Sequence, residues 1–343
     1  MTDPSSVFVV VVGGGVSGLT SAVALAEAGF RVRCIARESS PDTTSDVAAA
    51  FWYPYRASPR DRVAAWGAVS YSRFRALAEI PESGVVPRSI VHRYESAAPE
   101  PWWNGPVEAF EGLRPTDRFG AWVDGYRYRT YLAESRLYLP WLRTRARDFG
   151  VDLVRGTVTR LADLARGREG VTGDGPAAIV NCAGVFAGEL ADDPEVFPIR
   201  GQVLRIRPPA GLGSEIRESV CTYVVPRSED VILGGTSVDG DWSRDPVEAT
   251  ADDIVRRCAA VCPELLADGP LDVIEHRVGL RPGRDTVRLE VEDLPIAGGG
   301  DVPVVHNYGH AGAGYTLSWG CAAEVVDQVR RVTAGRSSAM AGR

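Results

Sequence analysis

Residues 7–12 read Val-Phe-Val-Val-Val-Val, apolar at every position. Such a run forms a strand buried on both faces of a parallel sheet. It passes into glycines and then into an alanine-rich stretch, Leu19 to Ala28, whose pattern predicts a helix closed by Gly29. Arg31 to Ala36 predicts the next strand. Regular βαβ alternation then stops. Residues 80–130 are rich in Pro, Trp, Tyr and Arg, including Pro101-Trp102-Trp103 and Tyr126-Arg127-Tyr128-Arg129, and predict antiparallel strands and loops. Helical periodicity returns over Tyr131–Phe149, with Leu132, Leu137, Leu139, Leu142 and Ala146 near one face, and Pro140 is expected to bend or split that helix.

Val151–Val154 with Thr157–Thr159, and Ala178–Gly184, predict a return to the first sheet. Between Val203 and Val238 short alternating strands predict a second, antiparallel sheet; Ala251–Cys262 reads as a helix, and a late glycine turn feeds a helix over Trp319–Arg331. The expected fold class is α/β combined with α+β. A Rossmann-like nucleotide-binding domain is expected from residues 1–85, 145–195 and 285–343, with an antiparallel-sheet domain from 86–144 and 196–284 inserted between its pieces.

Composition narrows the chemistry. The chain of 343 residues is long enough for two domains. It contains no lysine, so all 38 basic residues are arginine. That excludes a Schiff-base lysine and a Walker-type phosphate lysine, and leaves every full-time cationic role to a group suited to clamping carboxylates. The formal charge of −7 and the lack of a basic run argue against nucleic-acid binding. No apolar stretch near the start approaches the roughly 20 residues of a membrane span, and a glycine motif follows at once where a leader peptide would be, so a cytoplasmic protein is expected. Six cysteines without C-x-x-C spacing and four histidines supply neither a zinc site nor a disulfide framework.

Gly13, Gly15 and Gly18 satisfy G-x-G-x-x-G between a predicted strand and a predicted helix. The first glycine makes the turn, the second admits a pyrophosphate to the backbone, and the third lets helix touch strand. The amides of Val16 and Ser17 then open the helix toward phosphate. Glu38, 20 residues after Gly18, stands at the end of the second strand, where a carboxylate holds an adenosine ribose. The motif alone does not separate FAD from NAD; its place at the start favours FAD, and Arg37 leaves NADP open.

Near the C-terminus, Val304-Val305-His306-Asn307-Tyr308-Gly309-His310-Ala311-Gly312-Ala313-Gly314-Tyr315-Thr316-Leu317-Ser318-Trp319-Gly320 is a strand, a Gly/Ala loop and a helix start. As a pattern it resembles the signature of the D-amino-acid oxidase family of flavoproteins. The resemblance extends over nearly the whole chain, through Asp46–Tyr55, Val180–Gly188, Arg200-Gly201-Gln202, Thr222–Arg227 and Val278–Arg284. It implies non-covalently bound FAD and hydride transfer from the Cα of a D-amino acid to flavin N5. A 2-oxo acid, ammonia and hydrogen peroxide are the implied products, with oxygen as acceptor.

Carried over by motif, Arg281 would clamp the substrate carboxylate, Tyr223 would donate to the same group, and the Gly312 carbonyl would receive the amine. Phe51, Tyr53, Tyr55 and Val225 would line the pocket. Arg37, Glu38, Thr43, Thr44, Ala49, Ala50, Val158, Ala311, Gly314, Tyr315 and Thr316 would join the first glycines around FAD, and His306 and His310 would be structural or flank the flavin. The chain between Pro208 and Tyr223 is short and holds no tyrosine, so the lid of animal members is not expected. Phe51 and Tyr53 suggest neutral or apolar substrate side chains, unless Arg56, Arg217 or Arg227 supplies a cation for D-aspartate. No peroxisomal Ser-Lys-Leu address is present, which fits a bacterial cytoplasmic enzyme acting as a monomer or homodimer. A related D-aspartate, glycine or biosynthetic amino-acid oxidase is the nearest alternative, and a non-catalytic flavin-binding redox protein the more distant one.

Overall fold

The computed structural model describes residues 4–114, 117, 119–165, 175–267, 269–296 and 299–341. Its strands are β1 (Phe8–Val12), β2 (Arg31–Ala36), β3 (Val85–Tyr94), β4 (Glu108–Gly112), β5 (Asp124–Ala133), β6 (Asp152–Arg155), β7 (Ala178–Asn181) and β8 (Phe197–Ile206). There follow β9 (Ile216–Ser219), β10 (Thr222–Pro226), β11 (Val231–Gly234), β12 (Val238–Asp239), β13 (Val273–Gly283), β14 (Arg288–Pro295) and β15 (Asp301–Tyr308). The helices are α1 (Val16–Glu27), α2 (Thr44–Val47), α3 (Arg60–Leu77), α4 (Ser135–Asp148), α5 (Leu161–Ala165), α6 (Ala187–Leu190), α7 (Glu248–Val261) and α8 (Gly314–Ala341).

The strands sort into two sheets. One has the order β14-β15-β7-β1-β2-β6, parallel except for β14. Its central strand is the Val-rich run of the N-terminus, and Val9, Val10 and Val11 are 0% exposed, as burial on both faces of a parallel sheet requires. The other has the order β12-β8-β11-β10-β9-β3-β5-β4, with β13 on the remaining edge of β8. Its back packs Leu204, Val224 and Leu233 against Ile254 and Cys258 of α7. Its front shares one continuous core with α1, α3, α4 and α8, so both sheets close around the same interior.

Four local expectations are corrected. Tyr131 to Ala133 belong to β5, because Trp52 N donates to Tyr131 O and Ala133 N to Ala50 O, which hold the strand two residues past the expected helix start. Helix α4 runs unbroken through Pro140, which lies on its exposed side, where losing one backbone hydrogen bond costs least. Leu137 is 48% exposed, while Tyr138, Leu139, Leu142 and Ala146 form the buried face. Thr157–Thr159 form no strand, yet they border the cavity described next.

Candidate active site

A cavity of about 540 Å³ runs from the β1–α1 turn to the front of the antiparallel sheet. At one end the glycines are there because nothing larger fits. Gly13 has φ +123°, and a Cβ on it would stand 2.2 Å from the Cys182 carbonyl oxygen. A Cβ on Gly18 would stand 2.0 Å from the Gly13 carbonyl oxygen, so α1 touches the β1 turn at that point. Gly15 caps α1 with no side chain of its own. Ser45 Oγ accepts from Val16 N at 2.9 Å, and the other amides of the first turn remain for an anion.

Beyond this turn, Arg37 and Glu38 leave β2. The Arg37 guanidinium lies 4.2 Å over the Phe186 ring, and Arg244 reaches Glu38 at 3.7 Å, so three separate segments frame this end. Thr43 Oγ1 donates to Asp46 at 2.6 Å and caps α2, while Thr44 Oγ1 donates to the Leu280 carbonyl at 3.2 Å. The first bond holds the segment before Ala49 and Ala50 in its own turn, and the second ties it to β13.

On the other side, Gly309 and Ala311 take left-handed backbone, φ +79° and +47°. Ala311 N donates to Pro282 O at 2.8 Å, which fixes the turn beside the end of β13. Gly312 sits against the Tyr55 ring: an added Cβ would stand 2.4 Å from Tyr55 Cδ1. Among the described residues no donor takes the Gly312 carbonyl. The Tyr315 hydroxyl closes the wall by donating to Ser45 O at 2.9 Å.

The sheet supplies the remaining wall through its register. Gly234, Tyr223, Glu218, His92 and Tyr126 are successive cross-strand partners on β11, β10, β9, β3 and β5. Cross-strand partners share a face, so this row looks toward the cavity. The Tyr223 ring leans over Gly234, where a Cβ would stand 2.0 Å from Cε2. Arg281 leans over Gly201 in the same way, and its Nη1 donates to Thr236 O at 3.0 Å. Its guanidinium stands beside the Tyr223 hydroxyl, and no carboxylate lies within 4.0 Å of it among the described residues. Burial pushes the Tyr223 phenol above its usual range, with Arg281 opposing, so the hydroxyl stays a donor. Phe51 and Tyr53 stack at 6.5 Å, and Phe51 meets the Tyr223 ring edge-on at 6.1 Å.

Of the residues expected to clamp the substrate, line the pocket or hold FAD, all but Gly18, Val225 and Thr316 border this cavity. Gly18 acts behind it as the helix–strand contact. Val225 faces the same side as Tyr223 but pairs with Ile232 and is buried in the main core. Thr316 is buried behind the wall, its Oγ1 accepting from Tyr53 N at 3.0 Å and donating to Tyr53 O at 2.8 Å. Arg56, Arg217 and Arg227 are engaged elsewhere, with Asp239, Glu264 and Asp230 at 2.7, 3.2 and 2.7 Å. His310 borders the cavity, and His306 instead bonds Glu292 at 3.0 Å. The structure adds Ser45, Phe186, Glu218, Thr236 and Arg244 to the wall. None of the five was singled out in the sequence; Glu218, Thr236 and Arg244 come from segments with no motif of their own.

An FAD molecule fits these walls. Glycine slots that a Cβ would close, a bare helix N-terminus and a long cleft meet the needs of a pyrophosphate between two ring systems.

Comparison with known proteins agrees. Residues 9–328 match the model of the DAO family, described as FAD dependent oxidoreductase. The chain is 48% identical over 320 residues to the D-amino-acid oxidase of Rubrobacter xylanophilus, covering 92% of this chain and 93% of that protein. It is 39% identical over 321 residues to the D-amino-acid oxidase of Streptomyces coelicolor, covering 92% and 94%. Among solved structures, glycine oxidase from Geobacillus kaustophilus has the same fold, with a TM-score of 0.75 at 21% identity over 94% of each chain. A family model and relatives that span nine-tenths of the sequence place this chain in the DAO family of FAD-dependent oxidoreductases.

Proposed function

We propose that this protein is a D-amino-acid oxidase, converting a D-amino acid, oxygen and water to a 2-oxo acid, ammonia and hydrogen peroxide. The observation that carries the reading is Arg281, a guanidinium on the cavity wall with no carboxylate partner among the described residues. A half-buried cation facing a cavity without a counter-ion is favoured by a ligand that supplies one, and the fork geometry of arginine suits a carboxylate.

Bound FAD supplies the acceptor for the hydride leaving Cα. The chain's own part is positioning. Arg281 and the Tyr223 hydroxyl hold the substrate carboxylate, and the Gly312 carbonyl receives the amine. Held at both groups, the substrate is fixed in orientation, which is the main demand of hydride transfer. Gly13, Gly15, Val16 and Ser17 would hold the pyrophosphate; Arg37 and Glu38 the adenosine; and Thr43, Thr44, Ala49, Ala50, Val158, Ala311, Gly314 and Tyr315 the remainder of the cofactor. On this reading residues 1–85, 145–195 and 285–343 form the FAD-binding domain, and 86–144 and 196–284 the substrate domain.

Among the described residues no helix is long and apolar enough to cross a membrane, and all six cysteines are free. Together with two bacterial relatives, the free thiols support a bacterial cytoplasmic enzyme, acting as a monomer or homodimer. The test is anaerobic mixing of the yellow holoenzyme with D- and L-amino acids. Bleaching by D-amino acids alone is expected, and failure of every D-amino acid to bleach overturns the reading.

A further inference from the structure

The aromatic wall is only part of the space beside Tyr223. One strand further along the row stands Glu218, the cross-strand partner of Tyr223 on β9. Facing Cβ atoms of such pairs lie about 5 Å apart. The Tyr223 ring leans the other way, over Gly234, so Glu218 is not covered by it and borders the cavity. Glu218 is 7% exposed.

Its surroundings hold the carboxylate in place. His92 is its partner on β3. His92 Nδ1 touches Glu218 Oε2 without the alignment of a hydrogen bond, and His92 Nε2 meets the Tyr128 hydroxyl at 3.1 Å. The Tyr94 and Tyr126 hydroxyls bond each other at 2.9 Å close by. Burial, reinforced by the Glu218 charge, pushes the Tyr53 phenol up, so it too remains a hydrogen-bond donor. A carboxylate ringed by neutral hydroxyls and one imidazole keeps acceptor capacity for a ligand.

We infer that Glu218 is the specificity-determining residue of the substrate side-chain subsite. It selects D-amino acids whose side chains end in a cationic N–H donor, D-lysine and D-arginine, and rejects those ending in a carboxylate. The inference rests on the reading proposed above, in which Arg281 and Tyr223 hold the α-carboxylate. The aliphatic stem of such a side chain packs along Phe51 and Tyr53, and its charged end meets Glu218. An acidic side chain would set a second carboxylate beside Glu218 in a buried place, with Arg56, Arg217 and Arg227 all turned to other partners.

The test compares kcat/KM for D-lysine, D-glutamine, D-glutamate and D-alanine in the holoenzyme and in Glu218→Gln. In the wild type D-lysine should exceed D-glutamate by about a hundredfold or more, and D-glutamine should also exceed its charged isostere D-glutamate. In Glu218→Gln the D-lysine to D-glutamate ratio should fall at least about tenfold, a change that loss of packing alone does not produce. A wild type that oxidises D-alanine but takes D-glutamate as well as D-lysine or D-glutamine overturns the role of Glu218 and leaves the D-amino-acid reading standing. An unchanged ratio in the variant also overturns it. If no D-amino acid is oxidised, D-alanine included, the underlying reading has failed and this one with it. Should the variant not retain flavin, the wild-type ratios decide the question alone.

Discussion

The guanidinium of Arg281 fills the place a side chain at Gly201 would take: an added Cβ would stand 2.2 Å from Nη1 and 2.5 Å from Cζ. Gly201 has no left-handed backbone, and the group in the way is the far end of a flexible chain rather than backbone. Gly201→Ala should therefore fold and push Arg281 aside. Displacing a clamp by about 1 Å costs on the order of a hundredfold. We expect kcat/KM for D-amino acids to fall by about that factor, with Tm within a few degrees of the parent. A loss of Tm that parallels the loss of activity would show the contact to be structural only.

On the proposed reading Arg281 and Tyr223 serve one carboxylate and should behave as a unit. Tyr223→Phe removes one hydrogen bond to a charged group, worth about 1.5–3 kcal/mol, or roughly ten- to a hundredfold in kcat/KM. Arg281→Leu should cost more, about a hundredfold or beyond. The double variant should lose less than the product of the single losses, since each residue acts through the same ligand group. Strict multiplicativity in the kinetic cycle would separate the two residues.

The opposite outcome is expected at Gly13. Here the obstacle is the Cys182 carbonyl, 2.2 Å from an added Cβ, and the backbone stands at φ +123°. Neither yields without moving β1 away from the segment after β7. Gly13→Ala should lose co-purifying flavin absorbance and unfold at lower temperature. Full retention of flavin would mean that the turn does not meet the cofactor as closely as proposed.

His310 links the cavity to pH. It is fully buried, bonds Asn307 at 3.0 Å, and burial pulls its imidazole down to about 4. An unfolded histidine titrates near 6.5. The unfolded chain therefore binds the proton first, so the stability owed to neutral His310 is complete above pH 6.5 and is lost as pH falls toward 4. The difference corresponds to about 3 kcal/mol. His310→Gln, which keeps a donor for Asn307, should flatten the fall of Tm between pH 6.5 and 4. An equal slope in both proteins would assign the acid sensitivity to other groups.

The features legible in the sequence are those with short-range causes. The β1 run, its glycines and the start of α1 are contiguous, and steric need alone accounts for Gly13 and Gly18. The same is true of the turn at Gly309–Gly314. Glu218 and His92 were not legible, because 126 residues separate their positions and only strand pairing brings them together. Val225 and Thr316 were misplaced for a related reason. Each has the right direction along its element, and only the packing of Ile232 and the backbone of Tyr53 against them shows that they stand outside the cavity. Tyr131 to Ala133 carried helical spacing, yet the edge offered by Ala50 and Trp52 drew them into β5.

Strand β9 is four residues long, and its side chains alternate: Glu218 faces the cavity, while Arg217, its chain neighbour, reaches Glu264 at 3.2 Å on the other side. On the inference drawn for Glu218, the sign of the charge offered to a substrate side chain is a matter of parity. A slip of one residue turns every side chain of a strand to the opposite face. One residue gained or lost in the connection 207–215, taken up at the 220–221 turn while β3 and β10 keep their other partners, would present a guanidinium in place of a carboxylate. On that inference the substrate range of this protein would change sign through loop length, with no residue of the cavity wall substituted.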